Sequence, residues 1–155
     1  MTSMTSQADA MSYRERVAWL SMFAMAATLG PYLALTAIDS ASGDAIGHTS
    51  LLIRFGTAAT ANALILGAGH LILRLRFTKD AGAPADERDR AVELRSTRAA
   101  FYVLMVAMIV VGIVMPFSEE GWEIVNAAVG AVFLAQLVHY GVAVHSYRRG
   151  LHHRL

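Results

Sequence analysis

The sequence predicts an all-α integral membrane protein, a four-helix transmembrane bundle with both termini in the cytoplasm. Hydrophobic residues make up 55% of the 155 residues, and the mean hydropathy is +0.45. Charged residues make up 16%, against about 25% in a typical soluble domain. The apolar residues form four long segments, each near the roughly 20 residues that cross a hydrocarbon core about 30 Å thick. The length fits one domain, and we predict a single membrane domain over 1–155.

Taken in order, the chain begins with a polar segment, 1–12, which we expect to be a flexible tail. Four apolar segments follow. Because backbone groups within lipid must be hydrogen-bonded internally, each segment is predicted to be a helix. The predicted helices lie at about 17–38, 50–75, 86–117 and 122–147, and a basic tail follows at 148–155. The third helix includes a cytoplasmic extension, which ends where the apolar residues begin at Ala99.

Basic residues are distributed unevenly among the segments outside the apolar runs. Twelve of the thirteen Lys and Arg residues lie in the N-terminal segment, in the central loop with its extension, or at the C-terminus. The other two loops, 39–49 and 118–121, contain acidic residues and no Lys or Arg. Cytoplasmic loops of membrane proteins are enriched in Lys and Arg. We therefore predict a multi-pass protein of the bacterial cytoplasmic (inner) membrane with both termini inside.

The charged segment Asp86–Arg98 leads directly into the third apolar segment. Asp86 is predicted to cap the helix N-terminus, and Glu87 and Asp89 in the first turn complement the helix dipole. Two interpretations stay open: a solvated collar that anchors the helix at the lipid headgroups, or a docking surface for a cytoplasmic partner or for the chain's own tails. In the second interpretation the partner-binding residues are Asp86, Glu87, Arg88, Asp89 and Arg90.

The run Asp86-Glu87-Arg88-Asp89, then Glu93-Leu94-Arg95 and Ala99-Ala100-Phe101-Tyr102-Val103-Leu104, resembles the DUF2178 group of small bacterial membrane proteins. Members of this group typically carry an Asp-Glu-Arg-Asp-like segment that leads into a transmembrane helix with an aromatic pair. The resemblance is specific over this run. Over the rest of the chain it rests on the four-helix layout. The group has no assigned activity. Its relatives resemble membrane partners of small helix-turn-helix regulators, so the resemblance implies a regulatory role.

Polar side chains inside the apolar segments are candidate functional residues because their burial in lipid is costly. The second and fourth segments each place such residues on one helical face, which we expect to look inward. The intramembrane polar candidates are Arg54, Asn62, Glu123, Asn126, Gln136 and Tyr140. Arg54 and Glu123 each lie near the outer end of their helix, and we predict an ion pair between them. The alternative is that each side chain extends to the headgroups.

His70 and His139 are the candidates for a cofactor site. They lie on different predicted helices at similar depth, a placement in which two imidazoles ligate haem or a divalent metal. No carboxylate lies beside them at that depth to orient an imidazole, and hydrogen-bonded structural histidines are the favoured interpretation. The chain has no cysteine, which excludes thiolate sites. We therefore predict no cofactor and no metal, with haem at His70 and His139 as the alternative.

The sequence offers no catalytic constellation, since it contains no Ser-His-Asp set, phosphate-binding glycine loop or pair of acidic residues within the membrane segments. We therefore expect no enzymatic activity, and the net charge of +1 predicts no direct contact with nucleic acid. We predict a homo-oligomeric scaffold or regulator in the lipid bilayer that binds a cytoplasmic protein through its charged face. The alternatives are a small transporter or channel with a polar path between the second and fourth helices, and a haem- or metal-binding redox subunit.

Overall fold

The computed structural model describes residues 11–42, 47–78, 84–119 and 121–152. Within these ranges every regular element is helical: α1 (Tyr13–Ser42), α2 (His48–Arg76), α3 (Glu87–Ile109) and α4 (Gly121–His152). Four helices are long and apolar enough to cross a membrane, the third of them taken from Glu87 to Phe117. The prediction of an all-α fold with four membrane-spanning helices is confirmed.

The helices extend beyond the apolar segments that predict them. α1 starts at Tyr13, ahead of the apolar segment at 17–38, and α4 continues to His152, past the predicted end at 147. Charged side chains with long apolar stems are compatible with such helix ends because they reach the aqueous interface. Residues 1–10 of the predicted flexible tail and residues 153–155 of the predicted basic tail lie outside the described residues.

The N-terminus of α3 is fixed by the cap that the sequence predicts. The Asp86 carboxylate accepts a hydrogen bond from the backbone N–H of Asp89 at 2.6 Å. This bond satisfies one of the backbone donors that a helix leaves unpaired in its first turn. Glu87, also in the first turn, adds negative charge near the positive end of the helix dipole. The charged segment is therefore helical from Glu87 onward.

The far end of α3 departs from α-helical geometry because of a proline. The helix widens into a π-helical turn, Val110–Val114, and then tightens into a 3₁₀ turn, Met115–Phe117. Pro116 has no N–H to donate, and its ring crowds the carbonyl one turn earlier. The backbone N–H of the residue before it bonds five residues back, to the carbonyl of Val110. The widened turn thus accommodates Pro116 without ending the membrane span.

The four helices form an open row in the order α2, α1, α4, α3. α1 packs against both α2 and α4, and α3 packs along α4. Among the described residues, the outer members α2 and α3 make few contacts with each other or none. Both carry exposed apolar side chains; Leu64 of α2 is 68% accessible and Val106 of α3 is 64% accessible. Such side chains are as compatible with lipid as with a protein interior.

The interface between α1 and α2 is close because one of its residues is glycine. A Cβ atom built at Gly69 would lie 2.6 Å from Leu20 Cδ2, so any larger side chain there requires Leu20 to move. Further along this interface the Thr28 hydroxyl donates to the carbonyl of Ala24 at 2.7 Å and lies 3.2 Å from Asn62 Oδ1. Small residues and interhelical polar contacts are typical of helix pairs in membranes.

The interface between α1 and α4 also contains a polar contact. The Tyr32 hydroxyl donates to Asn126 Oδ1 at 2.5 Å, and Tyr32 is only 5% exposed. Its ring also packs against the ring of Phe55 of α2 in an edge-to-face arrangement, with 5.6 Å between ring centroids. Tyr32 therefore contacts the helices on both sides of α1. Together with Thr28, it places hydrogen-bonding groups on α1 toward each of its neighbours.

All four helices carry charged residues at one end of the bundle, which we call the charged end. The main apolar cluster lies at this end. This end comprises the N-termini of α1 and α3 and the C-termini of α2 and α4. Its buried members come from α1, α3 and α4: Ala18, Val92, Ala143, Val144 and Tyr147, with Trp19 and Tyr140 packed against them. Ser96 of α3 is fully buried nearby on the same helical face as Val92. This packing holds the side chains of the candidate site in place.

Candidate functional site at the charged end

A set of polar side chains joins three helices at the charged end. We call it the charged cluster, and it consists of Arg14 and Glu15 of α1, Arg88 and Asp89 of α3, and Tyr147 and Arg148 of α4. Its bonds run between helices that lie far apart in the sequence. The cluster therefore connects the first helical hairpin, α1 and α2, to the second, α3 and α4.

Asp89 is the central member of the charged cluster. Its Oδ2 lies 3.1 Å from Arg14 Nε, and its Oδ1 accepts a hydrogen bond from the Tyr147 hydroxyl at 3.2 Å. One carboxylate therefore bridges α1, α3 and α4. The adjacent Arg88 donates from Nη2 to the backbone carbonyl of Tyr147 at 2.8 Å. A cation that binds a carbonyl in the last turns of a helix also complements the negative end of the helix dipole.

Glu15 is a buried carboxylate on the other side of the cluster. It is 4% exposed, and its Oε1 lies 3.8 Å from Arg148 Nε. The guanidinium of Arg148 also lies 5.4 Å from the ring centroid of Trp19, within the range of cation–π attraction. A buried carboxylate needs such a positive neighbour because its desolvation is costly. The sequence prediction did not include Glu15, although its position in the charged segment before the first apolar run is visible in the sequence.

The five residues predicted to bind a partner have different environments. Asp86 caps α3, and Arg88 and Asp89 bond to α1 and α4. Glu87 and Arg90 are exposed, and Leu94, one turn beyond Arg90, is 53% exposed. We call Glu87, Arg90 and Leu94 the outer face of α3. The partner role of all five residues stays a prediction, and this outer face is the part of the segment most available to another protein.

A cavity of about 340 Å³ lies beside the charged cluster. Both predicted cofactor residues line it, His70 from α2 and His139 from α4, together with residues of α1 and α3. The His139 ring meets the Tyr140 ring edge-on, with 5.0 Å between centroids. Over the ranges that the structure describes, no group of three or more His, Cys, Asp and Glu side chains is arranged to hold a metal ion. The structure thus places both histidines around one cavity, while haem binding stays a prediction.

The remaining intramembrane candidates are spread over the fold. Asn62 and Asn126 contact α1, as described above. Tyr140 lines the cavity beside His139, whereas Gln136, one turn earlier on α4, is exposed. Asn62 and Asn126 lie at different helix interfaces, and the assignment of these side chains as a polar path stays a prediction.

Arg54 contacts a partner that the sequence prediction did not name. Its Nη1 forms an ion pair with Asp39 Oδ2 near the end of α1, whereas the prediction paired it with Glu123. Asp39 lies in the last turn of α1 and Arg54 in the second turn of α2. Glu123 lies with Trp122 and His48 around a second cavity at the end of the bundle opposite the charged end.

The model of a family described as a predicted membrane protein, DUF2178, matches residues 22–151. The chain belongs to the DUF2178 family. The resemblance seen from Asp86 to Leu104 is thereby confirmed, and the match extends it over all four helices. No curated protein and no solved structure matches this DUF2178 chain.

The chemistry available to this DUF2178 protein is concentrated at its charged end. Ion pairs there connect the two hairpins, an exposed mixed-charge face lies on α3, and a cavity opens between the helices. Membership in a family of membrane proteins agrees with the four apolar helices. The charged end is therefore the candidate functional site.

Proposed function

We propose that this protein is a non-enzymatic scaffold or regulator of the bacterial inner membrane that binds a cytoplasmic protein through the outer face of α3. In this proposal both termini are cytoplasmic, so that the charged end faces the cytosol, and the protein forms a homo-oligomer. The concentration of basic residues at that end supports this orientation. The family membership supports a membrane location.

The observation that carries the proposal is the division of α3 into two faces before its apolar part begins. One face carries Asp89, Val92 and Ser96 and is bound or packed against the other helices. The opposite face presents Glu87, Arg90 and Leu94 to solvent. An acid, a base and a leucine on successive turns combine a charge pattern with an apolar contact, which are the elements of a specific protein interface.

The length of the charged part of α3 supports access to this face from outside the lipid. The twelve residues from 87 to 98 precede the apolar run and, at 1.5 Å per residue, extend over about 18 Å. This length exceeds that of a headgroup layer on one side of a bilayer, about 5–8 Å from the dimensions of the core and the whole membrane. A soluble partner is therefore able to reach the outer face without entering the lipid.

The test compares the proteins that bind to the full-length chain and to two variants in detergent extracts of cells, after chemical cross-linking. The first variant replaces the outer face, Glu87→Ala, Arg90→Ala and Leu94→Ala together. The control, Arg74→Ala with Arg76→Ala, removes charge from the C-terminus of α2 at the same end. We expect at least one soluble protein to be recovered with the wild type and the control and to be lost with the first variant.

Equal recovery of every soluble protein with the first variant and the wild type would contradict the proposal. A partner lost with both variants would assign binding to general charge at this end rather than to the outer face. Binding to the purified wild-type chain, measured with the purified partner, then distinguishes direct contact from contact through a third protein.

Two alternative functions have a narrower basis. The redox alternative rests on the fact that His70 and His139 line one cavity, and an optical spectrum of the purified protein tests it through the presence of a Soret band. The transporter alternative rests on the polar residues Asn62 and Asn126. Both contact α1, and this arrangement favours a role in helix association over a continuous polar path.

A further inference from the structure

The cavity beside the charged cluster exists because the row of helices is open. α1 and α4 contribute Val17, Ala18, His139 and Ala143 to it, while α2 contributes His70 and α3 contributes Ser96. Because α2 and α3 make few contacts with each other or none over the described ranges, nothing described closes the space between them on the lipid side. In a bilayer this space is filled by the surrounding amphiphiles, since voids in packed interiors are unfavourable.

The polar groups of the cavity favour a particular kind of amphiphile. Among the described side chains, no hydrogen bond or ion pair involves His70, His139 or the Tyr140 hydroxyl, and all three line the cavity. Arg14 lines it as well and brings a positive charge, which it shares with Asp89. Imidazole, phenol and guanidinium groups are hydrogen-bond donors that suit a phosphate oxygen. The cavity volume of about 340 Å³ lies within the usual range of small-molecule sites.

One acidic residue beside these donors allows the cavity to discriminate between lipid headgroups. Glu93 of α3 also lines the cavity and is exposed, and no ion pair involves it among the described residues. A carboxylate beside donors for a phosphate repels a headgroup that is only anionic and attracts one that also carries an ammonium group. The two signs of charge thus match a phosphoethanolamine headgroup better than a phosphoglycerol headgroup.

We propose that the cavity binds the headgroup of one phosphatidylethanolamine molecule. The phosphodiester accepts hydrogen bonds from His139 and Tyr140, the ammonium group lies at Glu93, and the acyl chains follow the apolar surfaces of α2 and α3 toward the centre of the membrane. The depth of the cavity agrees with this placement, because His70 precedes Arg74, at the end of its helix, by about one helical turn. This inference concerns a lipid site and does not depend on the partner-binding function.

The test uses the full-length protein purified in detergent and native mass spectrometry, with palmitoyl-oleoyl phosphatidylethanolamine, phosphatidylglycerol and phosphatidylcholine as separate probes. We expect the wild type to retain one phosphatidylethanolamine more tightly than phosphatidylglycerol, which lacks an ammonium group, and more tightly than phosphatidylcholine, whose quaternary ammonium has no N–H to donate to Glu93. His139→Phe should weaken this binding about tenfold, the equivalent of about 1.4 kcal/mol. His145→Phe is the matched control, since His145 is an exposed histidine of α4 that does not line the cavity, and it should bind as the wild type does.

Two further variants separate the parts of the site. Tyr140→Phe removes one hydroxyl and keeps the ring, so it tests the phosphate contact even if His139→Phe disturbs folding. Glu93→Gln should reduce the preference for phosphatidylethanolamine over phosphatidylglycerol at least fivefold while total lipid binding persists. Each variant is checked for wild-type helicity by far-UV circular dichroism.

Three results would overturn the inference. The first is equal lipid binding by the His139→Phe and His145→Phe variants, which would show that bound lipid is only part of the general lipid shell. The second is an unchanged headgroup preference in the Glu93→Gln variant. The third is retention of an isoprenoid quinone or a haem in the cavity instead of phospholipid, seen in the organic extract or in the optical spectrum.

Discussion

Replacement of Asp89 with Ala should destabilise the protein more than any other single change at an exposed or half-exposed acid. The variant loses the ion pair with Arg14, whose side chain is 39% exposed against 20% for Asp89. Ion pairs with this degree of exposure contribute about 0.5 kcal/mol. The variant also removes the acceptor of the Tyr147 hydroxyl, and Tyr147 is 8% exposed. A buried hydroxyl left without its acceptor costs about 1–2 kcal/mol.

A third contribution comes from the position of Asp89 in the first turn of α3. An acid there is favoured by the helix dipole by about 0.5 kcal/mol, so the total for Asp89→Ala is about 2–3 kcal/mol. Glu87→Ala is the matched control, because Glu87 lies in the same turn but is exposed. The control should lose only the helix-dipole contribution of about 0.5 kcal/mol.

The assay is unfolding in mixed micelles with a rising fraction of sodium dodecyl sulfate, followed by tryptophan fluorescence. Trp19 packs against the apolar cluster at the charged end and therefore reports on this region. A double-mutant cycle with Tyr147→Phe isolates the bond to Asp89, and we expect a coupling of about 1 kcal/mol. Equal stability of the Asp89→Ala and Glu87→Ala variants, or additivity in the cycle, would refute the argument that the bonds of Asp89 stabilise the charged end.

Three further predictions concern helix packing and orientation. Gly69→Val should destabilise the protein by about 1–3 kcal/mol, the usual cost of overpacking, in the same unfolding assay. Gly67→Val, where a Cβ meets no atom within 4 Å, should cost much less, and equal costs would contradict the close contact. Tyr32→Phe should cost about 0.6–1.7 kcal/mol, the range for interhelical hydrogen bonds in membranes, and an unchanged midpoint would show that its bond to α4 does not stabilise the protein. With no native cysteine, Ser118→Cys should react with an impermeant maleimide on intact spheroplasts and Thr78→Cys only after permeabilisation; the reverse pattern would invert the proposed orientation.

The number and type of helices follow from the sequence because the bilayer leaves the chain few choices. A long apolar segment must satisfy its backbone internally, and a helix is the only single-segment solution. The cap at Asp86 is also local, since donor and acceptor lie three residues apart. Such features require no knowledge of which helices become neighbours.

The contacts between helices could not be predicted in the same way, because they depend on the order and rotation of the helices. The sequence predicts that Asp89 favours the helix N-terminus, yet its bonds to Arg14 and Tyr147 cross from α3 to the opposite ends of the chain. Arg54 illustrates the same limit. Its ion pair with Asp39 depends on how the first hairpin closes, and periodicity within α2 contains no such information.

The candidate cavity was partly visible in the sequence. The similar depth of His70 and His139 follows from their distance to the basic residues that mark the interface, and both line the cavity. The contribution of α3 through Glu93 and Ser96 was not visible, because both lie in a charged segment whose two faces look alike in composition. Only the packing of Ser96 and Val92 against the other helices distinguishes the inner face from the outer one.

The open row has a consequence for the order in which the chain assembles. Two of its interfaces join helices adjacent in sequence, whereas the contact between α1 and α4 joins the first span to the last. Translation proceeds at about 5–20 residues per second, so α1 waits several seconds for α4 to be synthesised. During that interval the Tyr32 hydroxyl lacks Asn126, its acceptor in the finished protein. A chain truncated before α4 would carry this phenol within the bilayer without the acceptor that α4 supplies, a chemical difference between an unfinished chain and a complete one.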